Sequence, residues 1–136
     1  MNIFITASCK FYDKVGDIKS QLEKIGHKVT PPNGYGSSVT ETDTRKMSPS
    51  EYQKWKAGMI RTDGKIIMAN DAILVLNFEK NGQENYIGGS VFLEMFKTFD
   101  LGKKIFLYNP VPESMLKDEI LGFGPIVING DLTKIK

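Results

Sequence analysis

The feature that most constrains this chain is an alternation of short apolar runs with segments of helical periodicity. The apolar runs are bounded by turn-forming residues and rich in β-branched side chains, which is typical of buried strands. They are Asn2–Ala7, His27–Thr30, Ala72–Phe78, Ile105–Tyr108 and Ile126–Ile128. The helical segments are Asp13–Ile25, Ser48 to about Met68, and Gly88–Leu101. This alternation predicts a parallel sheet with helices on both faces.

Five strands in this order predict an α/β fold with a flavodoxin-like, doubly wound, five-stranded parallel sheet. The run Ala72–Phe78 is the most continuously apolar, so it is expected at the centre of the sheet. The 136 residues are expected to form one domain, residues 1–136, with a core of its own. Ligands bind outside the carboxyl ends of the strands in such sheets. That rule marks the loops Ala7–Asp13, Thr30–Ser50 and Phe78–Gly89 as the ligand-binding edge.

Charge and composition exclude several classes of protein. The formal net charge of +2 is too small to predict a nucleic-acid partner. The single cysteine, Cys9, excludes an intrachain disulfide, and with only one histidine, His27, no metal site is predicted. No cofactor is predicted either, because the turn TASCKFYD lacks the glycine pattern of a dinucleotide or P-loop site. No apolar run is long enough for a membrane span, and NIFITA is unlike a secretion signal, so the cytoplasm is expected.

Two carboxylates are candidates for catalysis, each with a simpler interpretation. The apolar face of the helix Gly88–Leu101 is assigned to Val91, Phe92, Met95, Phe96 and Phe99. Glu94 falls off that face, where a solvated carboxylate that pairs with Lys97 is the simpler interpretation. Its helix, however, follows the glycine-containing loop of the central strand and so borders the expected ligand crevice. Asp63 lies on the preceding helix, where a solvated carboxylate is again the simpler interpretation.

Polar and aromatic residues near the expected crevice are candidates for binding. Ser8 and Lys10 lie in the first strand-to-helix turn, where backbone N–H groups, a hydroxyl and an ammonium together favour a small anion such as phosphate or carboxylate. Three aromatic side chains near the long loop could stack on a planar ring, although packing against the sheet is the simpler interpretation for Trp55. They are Tyr35, Tyr52 and Trp55.

Two spaced motifs resemble the nucleoside 2-deoxyribosyltransferase superfamily, which includes the 2′-deoxynucleoside 5′-phosphate N-hydrolases. The first motif is D-x7-D-A in Asp63–Ala72, and it is followed by an apolar strand and a glycine-containing loop. The second is E-x6-L-G-K in Glu94–Lys103. The resemblance runs from the first strand to about Tyr108. It implies N-glycosidic bond chemistry on a five-stranded doubly wound sheet, with a nucleoside or nucleotide as the small-molecule partner.

The resemblance also implies roles for individual residues. Glu94 occupies the position of the family's nucleophile, and Asp63 that of an acidic partner near the base. Ser8 and Lys10 fall in the loop that holds the sugar or, in the hydrolase branch, the 5′-phosphate. The remaining substrate-binding candidates lie in the loop before the Glu94 helix and in its first turn: Asn85, Tyr86, Gly88, Gly89 and Ser90.

Three departures from the family pattern favour the hydrolase branch or no catalysis at all. Gly88 stands where transferases carry an aspartate and hydrolases often a serine, and Phe4 stands where the first strand usually presents a tyrosine. The sequence ends at Lys136, without the longer tail that completes the transferase site. The preferred prediction is therefore hydrolysis rather than transfer. The alternative is a non-catalytic nucleotide-binding or sensing module on the same fold.

A homodimer or higher homo-oligomer is also expected. The resemblance implies it, because neighbouring subunits complete each other's sites in the family. Leu93 and Leu101 also lie outside the assigned apolar face of their helix.

Overall fold

The computed structural model describes residues 1–136 and contains one five-stranded sheet. Its strands are β1 (Asn2–Ala7), β2 (Lys28–Thr30), β3 (Ala72–Leu76), β4 (Lys104–Leu107) and β5 (Ile126–Val127). They are ordered β2-β1-β3-β4-β5, and every neighbouring pair is parallel. The predicted doubly wound α/β sheet is confirmed. The central position of β3 is confirmed as well, and all of its residues are buried.

Helices cover both faces of this sheet. They are α1 (Val15–Lys24), α2 (Glu41–Arg45), α3 (Pro49–Ala69), α4 (Gly89–Asp100) and α5 (Lys117–Gly122), with 3-10 turns at Cys9–Lys14 and Leu132–Lys134. One apolar cluster packs α1 against the sheet, and a second packs α3, α4 and α5 against the opposite face. We call these the α1 face and the α3/α4 face. No helix combines the length and apolar character needed to cross a membrane.

The alternation of β1 assigns its side chains to the two faces. Successive residues of a strand point to opposite sides of the sheet. Ile3 and Ile5 therefore join the cluster on the α1 face, whereas Phe4 joins the cluster on the α3/α4 face. Thr6 shares the side of Phe4 and is fully buried. A polar hydroxyl thus enters the α3/α4 face at the carboxyl end of β1.

The start of α3 is the best-predicted helix boundary. Ser48 caps the helix, Pro49 occupies its first position, and Ser48 and Glu51 exchange the two hydrogen bonds of a capping box. At the other end, the Lys103 ammonium donates to the carbonyls of Ile67, Met68 and Asn70 at 2.6–2.9 Å. Lys103 thereby ties the end of α3 to the loop that follows α4.

Two short helices were not predicted. The long loop after β2 contains α2, which is capped by reciprocal hydrogen bonds between Thr40 and Asp43 and buries none of its residues. The acidic segment before β5 contains α5, which buries only Ile120. The helix predicted from Asp13 begins at Val15 instead, because the preceding residues form a 3-10 turn that buries Phe11. Helices this short carry little periodic signal, so their sequences read as loops.

The predicted apolar face of α4 was right for Val91, Phe92 and Met95 but wrong for Phe96 and Phe99. Val91, Met95 and Thr98 face the sheet, whereas Phe96 and Phe99 are 51% and 48% exposed. Both of these phenylalanines pack against the ring of Phe123, which follows α5. The sheet accepts Thr98 because its hydroxyl donates to the Glu94 carbonyl at 2.7 Å and leaves no polar group unpaired. With the helix in this orientation, Glu94 faces the interior of the protein rather than solvent.

Candidate active site

A cleft of about 370 Å³ opens at the carboxyl end of β1. Its walls come from α3, the start of α4, the segment around α2 and the loop after β3. A volume of this size is in the range of sites for small organic ligands. The cleft lies where a doubly wound sheet is expected to bind its ligand.

Glu94 and Asp63 meet at the inner end of this cleft. Glu94 lies on the second turn of α4 and Asp63 on α3, and the two helices pack against each other. Asp63 Oδ1, Glu94 Oε2 and the Thr6 hydroxyl are all buried without a hydrogen-bond partner. Buried polar atoms are normally paired, since leaving one unpaired costs about 1–3 kcal/mol. Three unpaired atoms in one cleft are therefore the strongest sign of a binding site in this molecule.

Burial and proximity raise the pKa values of both carboxyls. The pKa of Glu94 rises to about 8, first because the group is buried and then because of the charge on Asp63. The nearby Thr6 hydroxyl and the Lys56 ammonium oppose this rise. Burial likewise raises the pKa of Asp63, against the influence of Glu94, Asn33 and Lys56. Two carboxyls this close cannot both ionise easily, so the pair retains one proton near neutral pH.

Tyr12 adds a hydroxyl beside the carboxyl pair. Its pKa rises to about 12, mainly through burial and then through the charges of Cys9, Glu94 and Asp63. A Cβ atom at Gly34 would lie 2.9 Å from the Tyr12 hydroxyl oxygen. Gly34 therefore leaves room for Tyr12 at the cleft, and Tyr12 remains a protonated hydrogen-bond donor at neutral pH.

Lys56 reaches across the cleft from α3 to α4. Its ammonium donates to the Ser90 hydroxyl at 2.8 Å. Lys56 and Ser90 lie on the same two helices as Asp63 and Glu94, in each case nearer the helix N-terminus. The cleft wall thus carries a cation next to the carboxyl pair. Lys56 was not among the residues predicted from the sequence.

A second lysine, Lys80, stands where Lys10 was expected. Ser8 lines the cleft as predicted, and the Lys80 ammonium lies 3.3 Å from its hydroxyl and 4.7 Å from the centre of the Tyr86 ring. Lys10 is exposed and does not line the cleft; it borders a neighbouring depression, of which Lys80 forms the other side. The turn after β1 forms only a 3-10 helix, so no long helix begins there to hold an anion as predicted.

Most of the predicted loop residues line the cleft, and one does not. Tyr86, Gly88, Gly89 and Ser90 are in its wall, whereas Asn85 is not. Asn85 has a φ of 56° and serves the turn before Tyr86, a conformation that asparagine tolerates better than most residues. A Cβ at Gly88 would lie 3.0 Å from the Tyr86 hydroxyl oxygen, so a side chain there would require a small shift of the Tyr86 ring. Glycine at position 88 thus leaves room for the Tyr86 hydroxyl.

Aromatic side chains form part of the outer wall. Tyr52 and Trp55 lie on the first turns of α3, with ring centres 5.6 Å apart, and both line the cleft. Trp55 therefore does not serve only to pack against the sheet. Tyr35 does not line the cleft and instead packs edge-on against Tyr12. A planar ligand could stack on the Tyr52–Trp55 pair.

Sequence reasoning missed several polar residues of the cleft, among them Thr6, Tyr12, Lys56 and Lys80. Thr6 could have been found, since it is the one polar residue in the interior of an otherwise apolar strand. The lysines gave no such signal, because the sequence places them among many solvated lysines. The residues of the chain form no group of three or more His, Cys, Asp or Glu side chains suited to a metal ion.

Comparisons with known proteins bear on the fold. No protein-family model matches the chain, and no curated protein matches it. Among solved structures, a 2-deoxyribosyltransferase from the psychrotolerant bacterium Bacillus psychrosaccharolyticus is similar, with a TM-score of 0.55 and 17% identity over 79% of this chain and 71% of that one. The CMP N-glycosidase BcmB of Clostridium botulinum is similar with a TM-score of 0.54 and 19% identity, over 99% and 97% of the two chains. These two likenesses agree with the predicted doubly wound fold.

Proposed function

We propose that this protein cleaves the N-glycosidic bond of a nucleoside or a nucleoside 5′-monophosphate. The observation that carries the proposal is the pair of buried, mutually close carboxyls with unpaired oxygens inside a ligand-sized cleft. The two structural neighbours support it, because their names describe a deoxyribosyltransferase and an N-glycosidase. The neighbour that matches over nearly the whole of both chains is the N-glycosidase, which favours hydrolysis over transfer.

Glu94 is the proposed nucleophile and Asp63 the proposed acid. In the reactive form the shared proton resides on Asp63, so Glu94 is ionised and can attack C1′ of the sugar. The transition state has oxocarbenium character and leads to a glycosyl ester on Glu94. Thr6 favours the ionised form of Glu94, and the protonated Tyr12 hydroxyl lies within range of its charge. Water then releases the sugar, with Asp63 taking the proton.

The test is an assay of free-base release from a panel of nucleosides and their 5′-monophosphates. Wild type is expected to release base from at least one member of the panel, and trapping with a slow substrate should give a glycosyl ester on Glu94 visible by mass spectrometry. Tight binding without base release would instead favour the nucleotide-sensing alternative.

The 5′-phosphate is the group that Ser8 and Lys80 are suited to bind. Lys80 supplies charge at 3.3 Å from the Ser8 hydroxyl, and both residues line the cleft. A charge-assisted hydrogen bond contributes about 1.5–3 kcal/mol, so a preference for monophosphates of roughly 10- to 100-fold is expected.

Comparison of Lys80→Ala with Lys10→Ala tests this phosphate subsite. Lys80→Ala should remove most of the monophosphate preference, whereas Lys10→Ala, outside the cleft, should keep it. Rising salt should weaken the preference in wild type. Equal affinities of wild type for a nucleoside and its monophosphate would contradict the subsite.

A homodimer is also proposed, and α4 gives the reason. Its outer side exposes Leu93, Phe96 and Phe99, each about half accessible to solvent. Large apolar side chains exposed together on one helix commonly mark an interface between proteins. Light scattering at micromolar concentration should report at least twice the monomer mass, and a monomer alone would contradict the proposal.

A further inference from the structure

Lys56 differs from the other lysines of α3 in where its ammonium lies. Lys54 and Lys65 are exposed, whereas Lys56 is partly buried and its ammonium contacts Ser90 inside the cleft. Holding an extended lysine in one position costs side-chain entropy. A lysine used only for solubility would remain in water. The Lys56 ammonium therefore lies inside the cleft near the carboxyl pair, where it is available to a bound ligand.

The surroundings of Lys56 identify the part of a nucleoside that it would meet. It lies seven residues before Asp63 on α3, which places both side chains on one side of the helix, about two turns apart. Trp55 is its neighbour, with the ammonium 5.9 Å from the ring centre. A base stacked on Tyr52 and Trp55, with its sugar at Glu94, would present the edge next to the glycosidic nitrogen to Lys56.

An ammonium has three donors and no acceptor, and Ser90 takes one of the donors. The remaining donors match an oxygen on the base rather than an amino group. In a pyrimidine, a carbonyl oxygen stands directly beside the glycosidic nitrogen. That oxygen becomes more negative as the C1′–N bond breaks, so a hydrogen bond to it strengthens in the transition state.

We propose that Lys56 is a catalytic residue that stabilises a departing pyrimidine through this carbonyl oxygen. The inference rests on the proposed function, which it deepens. As a Glu94 oxygen bonds to C1′, the C1′–N bond breaks and its electron pair leaves with the base. Lys56 donates a hydrogen bond to the carbonyl oxygen that carries the charge, and the Asp63 proton then neutralises the base. Water opens the glycosyl ester, returns a proton to Asp63 and frees the Glu94 carboxylate.

The experiment measures kcat and KM for a series of pyrimidine substrates that differ in leaving-group ability. Suitable members carry 5-fluoro, hydrogen or 5-methyl on the base and are otherwise identical. Removing one donor from a developing negative charge typically costs about 10²–10³-fold in kcat. Lys56→Met should lose that much with the poorest leaving group and clearly less with the 5-fluoro base, while KM changes little. Lys56→Arg should recover part of the rate.

The matched control is Lys65→Met, an exposed lysine of the same helix, which should behave as wild type. If Lys56→Met lowered kcat equally for all three bases, or raised only KM, Lys56 would have a binding or structural role and the inference would be overturned. Such a result, with an active wild type, leaves the N-glycosidase proposal intact. A wild type that releases no base from any substrate would overturn both.

Discussion

The two faces of the sheet are built from the same strands but differ in how they treat polar groups. The α1 face is a continuous apolar cluster in which no polar side chain is buried without a partner. The α3/α4 face contains an apolar cluster of similar size, yet Thr6, Asp63 and Glu94 bring three unpaired polar atoms to its edge. Both apolar clusters stabilise the fold, but only the α3/α4 face loses some of that stability to unpaired polar groups at the cleft.

The contrast begins within β1. Ile3 and Ile5 point to the α1 face, and Phe4 and Thr6 to the α3/α4 face. A hydroxyl at Thr6 is tolerated because it lies where the sheet ends and the cleft begins. A buried polar side chain can thus contact a ligand only near the end of a strand, where the sheet borders the cleft.

The largest expected effect is the loss of turnover when the nucleophile is removed. Glu94→Gln and Glu94→Ala should lower kcat by about 10⁴- to 10⁶-fold, in the range seen when catalytic nucleophiles are replaced. Base release should be measured with substrate well above KM. Full activity in either variant would show that some other group attacks the sugar.

A smaller loss is expected at the second carboxyl. Asp63→Asn should lower turnover by about 10²–10⁴-fold, the usual contribution of a general acid, while a bound ligand remains detectable. Wild-type kcat/KM should be bell-shaped, because activity requires the pair to hold one proton. It should fall as pH rises through about 8, the pKa of Glu94, and the variant should lose this alkaline limb. The other groups that influence the pair are Thr6, Asn33 and Lys56, and Tyr12 lies beside it. An alkaline limb unchanged by Asp63→Asn would assign the acid role elsewhere.

On the opposite face, truncation should affect stability alone. Leu22 is fully buried in α1, and Leu22→Ala should lower the free energy of unfolding by about 2–5 kcal/mol. Urea unfolding measures this loss. Turnover per folded molecule should stay near wild type, because Leu22 lies across the sheet from the cleft. If the folded Leu22→Ala variant also lost most of its kcat, packing on the α1 face would have to influence the cleft on the other face.

The stability cost of the carboxyl pair should depend on pH. The pKa of Glu94 is about 8 in the folded protein against 4.5 for the free group, so folding favours its protonated form. Glu94 therefore lowers the free energy of unfolding only where it must ionise: the protein keeps its full stability below pH 4.5 and loses part of it as pH rises through about 8. Glu94→Gln removes this loss, so its thermal midpoint should exceed that of wild type by several degrees at pH 9 and differ little at pH 4.5.

Thermal unfolding from pH 4.5 to 9 measures this difference. Glu84→Gln, at an exposed loop carboxylate, is the control and should follow wild type throughout. A midpoint of Glu94→Gln that stayed at or below wild type across the whole range would mean that Glu94 is not a strained, buried carboxyl.

Much of the architecture was determined by local patterns in the sequence. The apolar runs predicted the strands, and their alternation with helices predicted the parallel sheet. The residues Ser48, Pro49 and Glu51 predicted the start of α3. These signals survive because each depends on neighbours along the chain, through burial, capping and chain direction. The spacing of Asp63 and Glu94 likewise drew attention to both carboxyls before their surroundings were known.

Only the tertiary structure decided how the carboxyls are used. From the periodicity of α4 we predicted that Glu94 would lie near solvent. In the structure Phe96 and Phe99 instead lie on the outer side of the helix, where they pack on Phe123, and Glu94 faces the cleft. The lysine near Ser8 proved to be Lys80, more than seventy residues away along the chain rather than two. Distances between segments remote in sequence determine how deeply Glu94 is buried and which charges lie near it. They also determine that Lys80, and not Lys10, lies near Ser8. Periodicity within one segment carries no information about those distances.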